Sequence, residues 1–455
     1  MGVGISILTS CDPFAEEISA DPSLQFTYSV DTLKFDTIIT SVSSINRGFR
    51  IFNPNDKAIE ISELYLGKRA SSEYKLIVQG REGHSFEDLV VFGKDSLLVL
   101  AEVLIDPMDE DLPYLVKDSI VIDYNTNLDH IKLVSWGQDA NFIDSEIIAC
   151  DVTWNSQKPY VIYNRALIDT SCTLTVAEGV KIYLDNNAEL LVAGSLDIQG
   201  TAENKVLIRN SRLDPGYDKA PGQWFRIYFL PGSTGNFIHH AEIINGVSGL
   251  TLGLDSEGNN TELTITNTSI GHMSFAGIFA LNANLNATNL EIYNCAEQML
   301  AVVAGGNYTF DHCTFSNEPS DFIRQNPSVI FSDLYDNGED VIIIGDLNAT
   351  VTNSIIWGGL DEELLLADSE QGDFSVILEN NIIASASENY EPENIISNET
   401  NFPGFYAPIV FNFQLDSLSS ARDLAPDSDV TTDLLGTIRD EFPDIGAYER
   451  KDSIP

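Results

Sequence analysis

The sequence predicts an all-β chain, a β-sandwich followed by a stacked solenoid, and three observations carry that expectation. Between residues 25 and 140 apolar and polar residues alternate with a period of two rather than 3.6. From residue 158 onward the apolar runs shorten to three to five residues broken by polar corners, too short for helices. A unit of apolar strand, Asn-bearing corner and second apolar strand, seen in Asn236–Leu252, returns loosely at Ala287–Val302 and around Asp311–Asn317. Recurrence of one such unit is the mark of stacked repeats.

Composition sets the outer bounds. The 455 residues include 69 acidic and 24 basic side chains, a net charge of −45, with 43% hydrophobic residues. That apolar content belongs to a folded chain, and the length suits one domain plus a repeat array. The charge disfavours nucleic acid and anionic membrane surfaces as partners, and reads as an acidic, solvated exterior. No apolar run reaches the ~18 residues of a membrane-spanning helix. The cysteines Cys11, Cys150, Cys172, Cys295 and Cys313 show no CxxC or zinc-like spacing, so no metal site is expected from them.

In chain order, the first eleven residues are short, apolar and end in Leu8-Thr9-Ser10-Cys11. This resembles a bacterial lipobox, which implies cleavage before a lipidated Cys11 and attachment to a membrane by acyl chains. The pattern lacks a basic residue before Cys11. Asp12, Glu16 and Glu17 resemble the surface-export signal of Bacteroidota lipoproteins. Residues 1–10 are thus expected as a signal peptide and 11–24 as a flexible tether.

About eight short strands are expected in 25–140, among them Gly48–Pro54, Ala58–Leu66, Tyr74–Val78, Ser96–Ile105, Asp118–Asp123 and Ile131–Ser135. Phe35-Asp36, Phe49–Asn55, Val99–Pro107 and Val134–Ala140 resemble the ASH/Hydin-like group of immunoglobulin-like domains over roughly 110 residues. The resemblance implies a module that spaces, presents or binds. Asp106, Asp109, Glu110 and Asp111 could offer oxygen ligands to calcium, but they lack the alternation and glycine of a calcium loop. A solvated loop is the reading; no cofactor is expected, with calcium here as the one candidate.

Residues 141–157 read as a linker and 158–450 as the solenoid. Leu174 and Val176, Val180 to Leu184, Leu190 and Val192, Leu196 and Ile198, and Val206 and Ile208 are short alternations divided by Gly179, Asn186-Asn187, Gly194 and Gly200. Aligning Ile243, Ile270, Ile292 and Phe315 gives steps of 27, 22 and 23, with Ile355 and Ile382 following at 40 and 27. A step near 22 resembles one rung of a right-handed parallel β-helix, with longer steps holding loop insertions. Asn245, Asn294 and Asn317 follow the aligned strand by two positions and are expected to stack as a structural ladder. Cys150 and Cys172 lie near the domain junction, where a disulfide can form if the protein leaves the cytoplasm; Cys295 and Cys313 read as small buried residues. The segments Cys172–Leu184, Gly194–Asn204 and Pro221–Tyr228 resemble the β-helix lipoproteins of Bacteroidota over about 300 residues. By that resemblance Pro443–Glu449 is a terminal strand that seals the open end. Residues 385–440 read as long loops over the side of the last rungs.

Many β-helices cleave polysaccharides. Inverting hydrolases need two carboxylates ~6.5–9.5 Å apart, and lyases need a base beside the sugar and a cation for the uronate. The Asn-Thr-Asp, Asp-Asp, Gly-His-Gly and Arg-Ile-Lys blocks of galacturonan hydrolases are not found. His239, His240, the Asp311–His312 pair, Asp321 and Arg324 read as packing or exposed residues. Trp224, Tyr228, Tyr293, Tyr308 and Trp357 are the aromatics that could stack on sugar. The expectation is a lipid-anchored monomer at the outer membrane or cell surface that binds extended carbohydrate without catalysis. A lyase or hydrolase, and a protein–protein scaffold at the outer membrane, are the alternatives.

Overall fold

A computed structural model describes residues 17–41, 44–111, 113–253, 261–338, 341–387, 390, 393–397 and 402–451. The expected lipidation residue, Cys11, lies outside them. The chain divides into two compact units at Asp139/Ala140.

The first unit is an immunoglobulin-like sandwich of two five-stranded sheets. One sheet runs Thr27–Tyr28, Arg47–Phe52, Ser96–Val103, Tyr74–Val78, Arg81–Gly83; the other runs Thr32–Ile39, Asn127–Gln138, Tyr114–Tyr124, Ile59–Leu66, Ser85–Val91. Inward residues of both, including Phe49, Ile51, Leu64, Tyr74, Val99 and Ile122, form one core. Ser85–Val91 escapes a period-two reading because Asp88 takes a left-handed φ of 53° and breaks the alternation. Residues 17–24 are not a free tether. Ile18 bridges Ala58, Ser19 N–H donates to the Ala58 carbonyl, and Asn125 and Asn127 amides bind the carbonyls of Asp21 and Pro22. The acidic loop hangs on Asp139, whose carboxylate accepts the backbone N–H groups of Met108 and Glu110.

The second unit is a parallel β-helix, a 23-stranded sheet wound on itself. Each turn lays one short strand on each of three faces. The first face carries Thr173–Val176, Ser195–Gln199 and Asn236–His239 and ends at Phe374–Glu379; the second carries Lys181–Leu184, Val206–Asn210 and Ala241–Ile244; the third carries Glu189–Val192, Arg226–Phe229 and Ser248–Gly253. On the second face Ile182, Ile208, Ile243, Ile270, Ile292, Phe315, Ile356 and Ile383 stand in one register column, all buried. Phe315 pairs with Ile356 rather than Ile355, so the aligned column shifts by one residue after the 318–327 insertion. Both isoleucines are apolar, so the sequence spacing alone does not choose between them.

The coil begins earlier than expected. Asn141–Ile147 and Val152–Trp154, placed in the presumed linker, pair in parallel with Tyr160–Ile168 and Thr173–Val176. Cys150 and Cys172 form a disulfide on successive turns, with a Cα–Cα distance of 4.7 Å. Cys295 and Cys313 are buried and free, and burial pushes both thiols up to about 12.

The C-terminal segment does not seal the end. Residues 402–451 lie along the second face: Gly446 N–H donates to Asn353, Ala447 N–H to the Thr314 hydroxyl, and the Tyr448 hydroxyl to Glu291 at 2.7 Å. Phe413, Leu434, Ala447 and Tyr448 pack on Tyr293, and Leu415, Ala421 and Ile445 on Ile355 and Trp357. The end of the coil is instead met by Tyr390 and Ile396, which pack against its core.

This cover buries a carboxyl. Burial pushes Glu291 from 4.5 up to about 7, outweighing the Tyr448 hydroxyl and Lys205, which act the other way. The folded state therefore keeps a proton that the unfolded chain releases. The stabilisation is complete below pH 4.5 and is lost as pH rises through about 7. Glu291→Gln is expected to match the wild type at pH 4.5 and exceed it by roughly 3 kcal/mol at pH 8, measured by denaturant unfolding. Breaking the disulfide in Cys150→Ser is expected to cost about 3 kcal/mol at any of these pH values, for a loop of this size.

Candidate functional site

The corners come first, because they decide which way side chains face. His240, Asn267, Asn289, His312, Asn353 and Asn380 precede the second-face strands in register, and all six take φ between 47° and 56°. Asn245, His272 and Asn294 follow those strands with φ of 74°, 56° and 48°. Asn tolerates this left-handed backbone because its short polar side chain bonds locally.

The expected ladder of Asn245, Asn294 and Asn317 is corrected accordingly. Asn294 bonds the His272 ring nitrogen at 2.7 Å and Asp321 at 2.9 Å; Asn317 bonds the backbone N–H and carbonyl of Cys295; Asn245 donates to the Asp218 carbonyl. None of the three bonds another. Side-chain ladders occur elsewhere. Asn289 donates to Asn267 at 2.9 Å at the opposite corner, and inside the coil Asn381 accepts the Ser354 backbone N–H and donates to the Asn394 side chain. Asn267 and Asn289 lie one regular turn of 22 residues apart, but at the corner that precedes the aligned strand rather than the one that follows it.

The titratable candidates diverge. His239 bonds the Thr266 hydroxyl, and burial holds His240 down at about 4. Asp311 accepts from Thr352 and Asn353, while His312 is fully buried beneath the cover and held at about 4 by burial and by Arg439. Arg324 forms a buried fork with Glu363, which also accepts from the Ser328 backbone and hydroxyl. Among the described residues no group of three or more His, Cys, Asp or Glu is placed to hold a metal ion.

Four of the five aromatics proposed to stack on sugar are buried. Trp224 is fully enclosed, its indole N–H on the Ile244 carbonyl at 2.8 Å. Tyr308 is buried in the coil, its hydroxyl accepting the Ala283 N–H and donating to the Gly305 carbonyl. Tyr293 lies under Phe411 and Phe413. Trp357 is 5% exposed, its indole on Glu318. Inward positions and covered faces take large rings because they fill volume there. Tyr228 alone faces outward in part, with its hydroxyl on the Gly253 carbonyl at 2.9 Å. Gly253, at φ 81°, can only be glycine: a Cβ would sit 1.9 Å from the Leu281 carbonyl oxygen.

Around Tyr228 the third face assembles a surface that no sequence motif announced. Tyr228, Thr251 and Phe279 share one outward column in successive turns, so the two rings are ~9.6 Å apart along the axis. The Arg226 guanidinium lies 4.2 Å from the Tyr228 ring and 4.6 Å from the Phe225 ring, and it pairs with Glu189 at 3.3 Å. Phe275 stands 5.9 Å from Phe279, and Tyr335, from the hairpin Leu334–Asp336/Ile342–Ile344, stands 6.1 Å from it. Phe225 and Phe275 are 38% and 37% exposed; Tyr228, Phe279 and Tyr335 are half-buried. The alternation of outward positions was legible, but alignment of Tyr228 with Phe279 requires the exact turn lengths.

No family model matches the chain, and no curated protein sequence matches it. Among solved structures the chain is similar to the ASH/PapD-like domain 7 of human CEP192, at 10% identity and a TM-score of 0.18, over 30% of this chain and 100% of that one. It is also similar to a family 123 glycoside hydrolase from Clostridium perfringens, at 8% identity and a TM-score of 0.18, over 26% of each chain.

The Arg324–Glu363 fork is structural by its burial, which makes it a control for function. Arg324→Met is expected to cost about 3–5 kcal/mol in unfolding experiments, because Glu363 is left buried without its cation.

Proposed function

We propose that this chain is an exported, lipid-anchored surface protein that binds extended carbohydrate without catalysis, on the third face of its β-helix. The observation that carries the reading is the set of half-exposed rings there, with Phe225 and Tyr228 about Arg226 and Phe275 and Tyr335 about Phe279. Ring faces take the apolar faces of sugars, and the Arg226–Glu189 pair offers donors and acceptors to hydroxyls. Rings two turns apart along the axis suit a ligand that is itself long and repetitive. Export to an outer membrane or cell surface is supported by the Cys150–Cys172 disulfide, a bond that persists in oxidising compartments, and by the lipobox-like Leu8–Cys11. Anchoring would be through Cys11.

A glycan array, followed by calorimetry on the best soluble oligosaccharide, tests this. Tyr228→Ala and Phe279→Ala are each expected to weaken binding about three- to tenfold, and the double variant more, with thermal stability little changed. Variants that bind as the wild type does would remove the proposed face. Release of new reducing ends from the bound polysaccharide would replace the binder with an enzyme.

A further inference from the structure

The C-terminal cover carries more apolar surface on its outside than covering requires. Tyr406, Ile409, Val410 and Leu418 are 64%, 76%, 60% and 91% exposed, all on or beside the hairpin formed by Phe405–Ala407 and Asn412–Leu415. Next to them is a cavity of about 460 Å³, lined by Trp357, Phe402, Phe405, Ile409 and Leu418. Among the described residues its charged lining consists of Glu318 and Asp416, with no Lys, Arg or His. Exposed apolar side chains beside a cavity, as Ile409 and Leu418 are, mark a contact site for another macromolecule.

The charges choose the occupant. Glu318 accepts the Trp357 indole N–H at 3.1 Å, which leaves acceptor capacity on its carboxylate. Asp416 is held below the usual carboxylate range by the Leu418 N–H and the Ser417 hydroxyl. Arg450, which also favours the charged form of Asp416, donates to the Leu415 carbonyl. Trp357 and Phe402 place their ring centroids 5.5 Å apart. Two carboxylates beside aromatic rings favour a planar cation: a guanidinium stacks on rings and forks onto carboxylates while neutralising them, whereas a sugar stacks and hydrogen-bonds without bringing a charge.

We propose that this cavity and its apolar lip form a docking site for a partner protein that inserts an arginine flanked by apolar residues. The arginine enters beside Trp357 between Glu318 and Asp416, and its apolar neighbours cover Ile409 and Leu418. The net charge of −45 steers such a basic segment toward the chain. The site lies on the second face, so it is separate from the aromatic face proposed for carbohydrate.

The test uses the full chain and the capped peptide Gly-Leu-Arg-Phe-Gly, with a twin carrying neutral citrulline in place of arginine, titrated by calorimetry and by amide-proton NMR. Binding of the arginine peptide is expected to be about tenfold or more tighter than that of citrulline. Leu418 is exposed and Asp416 partly exposed, so Asp416→Asn and Leu418→Ser are expected to leave the fold intact and each to weaken binding. Phe279→Ala is expected to leave it unchanged while weakening carbohydrate, which separates failure of this site from failure of the other. Equal affinity for the citrulline peptide, no binding at millimolar peptide, displacement of the peptide by oligosaccharide, or unaltered binding in Asp416→Asn and Leu418→Ser would each overturn the proposal.

Discussion

Register is the constraint on which the β-helix depends. In a parallel stack every strand must present its backbone to the strands of the turns above and below, so each turn must return the chain to the same place however many residues it contains. The column from Ile182 to Ile383 achieves this across turn lengths that vary nearly twofold. The left-handed corners make it work. A short strand entered through a residue near φ 50° bends sharply there, whatever loop follows. Insertions such as 318–327 can then grow outward without disturbing the aliphatic interior, since lengthening a loop costs little entropy.

The same logic explains where the polar groups go. A corner needs Asn or His for its backbone, and that side chain must then find partners in a crowded place. Asn289 bonds Asn267, the Thr432 carbonyl and Arg439, so one corner residue ties two turns to the cover. Arg439 in turn meets Glu449 and the carbonyls of Asp444 and Gly446, all buried. The cover is thus fastened by a polar network around a small apolar centre, and its loss would expose unpaired charges as well as rings. Such networks are costly when half satisfied, which favours a cover that is wholly on or wholly off.

Much of this was legible and some was not, for reasons that follow from the period of the chain. Strand alternation reports which residues point inward, so the sandwich, the coil and the burial of Cys295 and Cys313 could be read directly. The linker was misread because Asn141–Ile147 is mostly polar and exposed, an edge turn with little to bury. The lateral path of Pro443–Glu449 was hidden because its apolar residues serve an outer face as well as they would serve an end. Candidate sites fared worst. Apolar aromatics look the same whether they fill a core, as Trp224 does, or stand on a surface, as Phe275 does; only register separates the two.

The division of labour among the faces follows from what covers them. The second face carries outward residues that are apolar or charged, Tyr293, Trp357 and Glu291, and the C-terminal segment buries them. The third face carries outward Tyr228 and Phe279 with a narrower cover, the hairpin that brings Tyr335. A solenoid repeats its faces by construction, so an outward ring on one turn has neighbours at fixed spacing on the next. Evolution of a binding surface on such a fold therefore needs few new residues, only outward ones on turns already in register. Evolution of a catalytic pair needs two titratable groups to converge from different turns, and here the candidate groups are drawn away from one another by their own partners: Asp311 to Thr352 and Asn353, His312 beneath the cover, Arg324 to Glu363. Those side chains hold the coil and its cover together.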